Sequence, residues 1–231
     1  IEINVRHKPG KTFITPDNPV AIDGQKVTLK CGSNPPGYPV PQYKWWKEGV
    51  NSNLAVGSEY TIESARLNNA GRYYCQPSND LGDGSEASID LDVHQAPKII
   101  TPLQPTIIKR AGDSGFQITC SAHGKPKPNI RWFKDGEEIL DSESAVYHIS
   151  NSEQQTIENK AYNVLSTLKY NGYDRIKQTQ LMHTDRGQYT CQFDNEVAKA
   201  ESSMFLRIEH SPVMVPVSYT HLRAHEPLSN L

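Results

Sequence analysis

The stretch Gly37-Tyr38-Pro39-Val40-Pro41-Gln42-Tyr43-Lys44-Trp45-Trp46-Lys47-Glu48-Gly49 returns later as Gly124-Lys125-Pro126-Lys127-Pro128-Asn129-Ile130-Arg131-Trp132-Phe133-Lys134-Asp135-Gly136. The Gly, Pro, Pro, Trp, Lys and Gly of one copy meet the same residue in the other, and Tyr43 meets Ile130. Seven matches in one register mark an internal repeat. Upstream, Val27, Leu29 and Cys31 alternate with less apolar residues, as do Phe116, Ile118 and Cys120. Downstream, Asn69, Gly71, Tyr73 and Cys75 correspond to Asp185, Gly187, Tyr189 and Cys191. A period of two is that of a strand with one buried face. The fold class is therefore all-β, with each repeat framed by a Cys, a Trp and a second Cys.

A second recurrence sets the expected boundaries. Ile1, Ile3, Val5 and Pro9 are echoed by Ile89, Leu91, Val93 and Pro97, and again by Met204, Leu206, Ile208 and Pro212. Each copy reads as a half-buried strand ended where proline removes a ladder donor. Residues 1–9 are expected to end a preceding domain, residues 10–96 and 97–210 to form two domains, and residues 211–216 to open another. Residues 217–231 are read differently. The run from Val217 to Glu226 resembles one frame of a sequencing-library adapter, so the natural sequence is expected to stop near Pro216.

A two-sheet sandwich of about 100 residues has a thin core, which a covalent tie and a large flat side chain stabilise. Trp45 and Trp132 suit that place. Tyr73 and Tyr189 stand where a tyrosine-corner hydroxyl returns to the backbone. Asp185 and Gly187 suit the tight turn before that strand, through local bonding to amides and tolerance of positive φ. These motifs resemble the immunoglobulin superfamily over about residues 10 to 210, and the G-x-P-x-P before W-x-K-x-G resembles its I-set branch. The first copy departs by holding Asn69 where the pattern D-x-G-x-Y-x-C has Asp. The runs Gly57 to Tyr60 followed by Gly71 to Cys75, and Leu206 to His210, also resemble arthropod neural adhesion molecules of the echinoid kind. The resemblance implies two tandem immunoglobulin-like β-sandwiches that recognise proteins without chemistry on the ligand. Four cysteines permit three pairings, and the context favours Cys31 with Cys75 and Cys120 with Cys191. Closed pairs suit an extracellular, oxidising location.

Composition narrows the function classes. Lys and Arg number 24 against 26 Asp and Glu, for a net charge of −2, so no strong field gathers nucleic acid. No apolar run reaches the roughly 20 residues that cross a bilayer, so this stretch is expected to make no direct membrane contact and the full-length protein to be anchored elsewhere. No N-x-S/T sequon occurs, which counts mildly against secretion. The eight histidines lack ligand spacing, so no metal or cofactor is expected, and His7, His94 and His210 read as solvated junction residues. No nucleophile elbow or phosphate loop is present, and Glu137 and Glu138 read as hairpin residues rather than general acids. Catalytic residues are not expected.

The second repeat carries extra sequence between Gly136 and Asp185, where a strand over residues 164–170 leads into a turn-rich run. Tyr170, Tyr173 and Arg175 are the candidate partner-contact residues, since loops on rigid scaffolds often carry binding. The partner expected is a protein, with another copy of the same chain one candidate. Two other readings stay open: an intracellular muscle-type array of spacers, and a soluble immune recognition protein.

Overall fold

The computed structural model describes residues 5–141, 146–172 and 180–209. Their regular structure is strand, joined by loops, with short 3₁₀ turns at Leu67–Asn69 and His183–Asp185. In the first sandwich, β1 (Lys11–Thr15), β2 (Val20–Ile22), β3 (Val27–Asn34), β4 (Gln42–Lys47), β5 (Ala55–Val56), β6 (Glu59–Ile62), β7 (Gly71–Asn79) and β8 (Gly82–Asp83) lead into β9 (Ala87–Thr101). One face is the sheet β1-β3-β6; the other is β9-β7-β4-β5, with β2 running parallel to β9. Alternation decides what each strand buries. Leu29 and Cys31 from β3, Trp45 from β4, Tyr73 and Cys75 from β7, and Leu91 and Val93 from β9 meet in one core.

The second sandwich continues with β10 (Thr106–Arg110), β11 (Gln117–Lys125), β12 (Asn129–Lys134), β13 (Glu137–Ile139), β14 (Tyr147–Gln155), β15 (Tyr162–Tyr170), β16 (Gly187–Asp194) and β17 (Lys199–Glu209). One sheet is β10-β17-β16-β12-β13 and the other β14-β15-β11-β9. Its core gathers Ile118, Cys120, Trp132, Leu168, Tyr189, Cys191, Met204 and Leu206. Glu137 and Glu138 lie exposed on β13, paired to β12.

Strand β9 belongs to both units. Its first half pairs with β7, from Cys75↔Ala87 to Gly71↔Leu91, and its second half with β11, including Lys125↔Gln95 and His123↔Lys98. Leu91 and Val93 enter the first core, Gln95 and Pro97 are buried at the crossing, and Ile99 packs on the second core. The period of two runs through the junction unbroken, so the expected boundary after residue 96 falls inside a strand. The extra sequence of the second repeat is likewise largely strand: β14 and a nine-residue β15 form a hairpin paired from Tyr147↔Tyr170 to Gln155↔Tyr162. The first sandwich has no counterpart to β14 among its described strands, and its β6 is an outer strand.

Candidate recognition surfaces

Each sandwich is pinned at its centre. Cys31 and Cys75 are joined, as are Cys120 and Cys191, both with Cα atoms 6.5 Å apart, and no free cysteine remains. The indole of Trp45 donates to the Gly57 carbonyl at 2.9 Å, and that of Trp132 to Ser166 Oγ at 2.8 Å. A buried indole N–H needs such a partner. The Tyr73 hydroxyl donates to Asn69 O at 2.7 Å and the Tyr189 hydroxyl to Asp185 O at 2.8 Å. Burial, reinforced by neighbouring tyrosines, pushes both phenols above the ordinary tyrosine range, so they stay neutral donors.

The turn before each corner is held alike. Asp185 Oδ2 accepts the Met182 N–H at 2.7 Å, and Asn69 Oδ1 accepts the Arg66 N–H at 2.7 Å. An amide oxygen does the work of a carboxylate here, which accounts for Asn in the first copy. Gly187 has φ of +148°, and a Cβ on it would lie 2.5 Å from an oxygen of Asp135, the carboxylate that accepts the Gln188 N–H. Conformation and space both demand glycine there.

Around β9 the two sandwiches share a polar junction. Lys125 Nζ donates to Asp92 Oδ1 at 2.5 Å, and His94 bridges Asp92 at 3.2 Å and Glu196 at 2.5 Å. Asp23 of the first unit accepts from Gln95 at 3.1 Å and Lys98 at 3.3 Å. His94 is thus a largely buried bridge rather than a solvated residue. Burial pushes the Asp23 and Asp92 carboxyls up. The donors around them outweigh it: Gln95 and Lys98 at Asp23, Lys125 at Asp92, so both titrate below the usual aspartate range. Beside the junction, a groove of about 800 Å³ runs between the β14–β15 turn, with Glu158 and Lys160, and the first unit's Arg72 and Asp90. Arg72 holds Asp90 through two bonds, at 2.9 and 3.0 Å.

The three expected contact residues fare differently. Tyr170 is 2% exposed and packs edge-on against Tyr147 at 5.9 Å, so it is a core residue and not a contact. Tyr173 and Arg175 lie outside the described residues, as do residues 211–216 and 217–231. A different pair faces outward. Trp46 on β4 and Tyr74 on β7 are cross-strand partners, stacked with centroids 5.5 Å apart and planes inclined by 5°. Val56, opposite Lys44, extends this face and is 64% exposed. The sequence signal for it was present. Alternation that points Trp45 inward must point Trp46 out.

The family model described as "Immunoglobulin domain" matches residues 8–79 and 96–195. The chain belongs to the immunoglobulin-domain family. These immunoglobulin domains are 28% identical over 204 residues to bovine neural cell adhesion molecule 1, an alignment covering 84% of this chain and 23% of that protein. To mouse Roundabout homolog 1 they are 26% identical over 206 residues, covering 87% and 11%. An I-band fragment of titin has the same fold, with a TM-score of 0.59 at 23% identity over 89% of this chain and 67% of that one. The chain therefore spans about a quarter or less of the curated relatives named here. Among the described residues no cluster of His, Cys, Asp and Glu could hold a metal ion, and no helix is long and apolar enough to cross a membrane.

Proposed function

We propose that this chain is a protein-recognition segment of an extracellular adhesion molecule or cell-surface receptor, held at the membrane by parts of the protein outside it and performing no chemistry on its partner. The observation that carries the reading is the Trp46–Tyr74 stack on the outer face of a sheet whose inner face is pinned by a disulfide. Large rigid aromatics lose little entropy on contact, and such residues dominate binding energy at interfaces. The closed Cys pairs support an oxidising compartment. The similarity to neural cell adhesion molecule 1 supports adhesion as the biological setting. Kinship to the echinoid kind of arthropod adhesion molecule is the narrower form of the proposal.

The test uses beads coated with the chain. Aggregation of the beads, reduced about tenfold or more by Trp46→Ala as for an interface anchor, would establish self-recognition through this face. Coated beads that stay dispersed yet bind cells through Trp46 would assign a different protein as partner. Beads that neither aggregate nor bind any cell type would sink the adhesion reading. The muscle-type spacer remains the competing class, and the titin likeness concerns fold alone. Alkylation of all four cysteines in the natural protein without prior reduction would decide for that class.

A further inference from the structure

The outer strand of a sheet carries N–H and C=O groups on a side that faces no ladder partner, and most outer strands of this chain keep that row short. β1 and β10 have five residues each, β6 four, β13 three and β5 two. β14 has nine, Tyr147–Gln155, and every one of them is matched to β15 in a single register. Among the described residues no further strand lies beyond β14. Its outer side is therefore a template for one more strand.

Edges that must stay unpaired are guarded by proline, lysine, a bulge or an unmatched charge. β14 holds no proline, glycine or lysine, and its ladder to β15 has no bulge. Its histidine and its carboxylate are already engaged within the chain. His148 Nδ1 lies 3.2 Å from Asp141 Oδ1, and Glu153 Oε2 accepts from Lys127 Nζ at 2.9 Å. The other side chains from Ser150 to Gln155 are exposed hydroxyls and amides. Such groups both donate and accept, so each can bond to its own kind across a ladder.

We infer that β14 is the surface through which two copies of this chain pair side by side, antiparallel and related by a two-fold axis at Asn151. In that register Asn151 faces the second copy's Asn151, Ser150 its Ser152, His148 its Gln154 and Ile149 its Glu153. A centre at Asn151 pairs the strand along its whole length and sets no like charges opposite each other. Two nine-residue edges exchange about eight to ten ladder bonds, close to the roughly ten direct hydrogen bonds of a typical protein interface. Length and side-chain chemistry thus select a second copy as the occupant, through the isologous kind of contact that closes a dimer. Trp46 lies on the first sandwich, and the inference does not depend on what its face binds.

Sedimentation equilibrium of the chain tests it. Dimer should appear as concentration rises, and Ser150→Lys with Ser152→Lys, which sets lysine opposite lysine twice, should raise the dissociation constant about tenfold. Both serines are exposed, so the variant keeps its fold, read as an unchanged urea midpoint. Copies carrying Ser150→Glu and Ser152→Glu should repel one another likewise, yet an equal mixture of the two variants should dimerise at least as well as the unaltered chain. Trp46→Ala should leave the dimer intact. A chain that stays monomeric up to about millimolar concentration, the weak end of specific association, would overturn the inference. So would a dimer indifferent to the lysines, a mixture that fails to associate, or a dimer lost with Trp46 instead.

Discussion

Ser166 shows how much one side chain decides. Its hydroxyl is the acceptor for the Trp132 indole in a fully buried site, whereas Trp45 uses the backbone carbonyl of Gly57. Ser166→Ala strands a buried N–H and should cost about 1–3 kcal/mol, read as a fall in the urea midpoint of the second sandwich. Asp185 offers a comparison the molecule has already made, since Asn69 accepts the equivalent backbone N–H. Asp185→Ala should cost about 1–2 kcal/mol by loss of a capping-type acceptor, and Asp185→Asn distinctly less; equal costs in thermal melts would show that charge, not acceptance, is what the site needs. Tyr170 teaches the opposite lesson. Val164, Ser166, Leu168 and Tyr170 share one face of β15, so the period of two set by Leu168 carries Tyr170 into the core rather than to a loop surface.

At the scale of elements, β9 couples the units because one strand supplies ladder bonds to both sheets and its flanking carboxylates face the junction. Asp23 and Asp92 have folded pKa values below their unfolded ones. The coupling they add is complete above the unfolded value near about 4 and is lost as pH falls through the folded values. Small-angle scattering should accordingly show a stable interdomain distance down to about pH 5 and a broadened one only once the pH falls below the ordinary aspartate range. Asp92→Asn should weaken that pH response; an unaltered response in Asp92→Asn together with Asp23→Asn would dismiss the junction as its source. The hairpin β14–β15 was only half legible. Residues 164–170 alternate, but Ser150 to Gln155 are polar on both faces, and that segment is a strand because β15 offers it a partner.

For the whole molecule, each disulfide closes a long loop, 44 residues for Cys31–Cys75 and 71 for Cys120–Cys191. The chain-entropy relation gives roughly 4 kcal/mol for each, a large share of what a single domain of this size holds. Reduction should therefore lower both unfolding transitions in denaturant titrations, and Cys31→Ala with Cys75→Ala should lower the first sandwich's transition far more than the second's. Equal shifts in both would mean that the shared strand makes the pair one cooperative unit, a result the continuity of β9 makes worth measuring.

The sequence by itself determined the two sandwiches, their central Cys-Trp-Cys pins and their tyrosine corners, because those rest on local alternation and on residues repeated in fixed register. It also carried the outward direction of Trp46, as the neighbour of an inward Trp45. Only the tertiary structure decided that Asn79 and Asn195 clamp incoming strands, that His94 bridges Asp92 and Glu196, and that polar β14 is a strand at all. Those contacts join residues up to 102 positions apart, as in His94–Glu196. Such pairings leave no periodic trace, since each depends on where the paired sheets carry a single side chain rather than on the pattern of its neighbours.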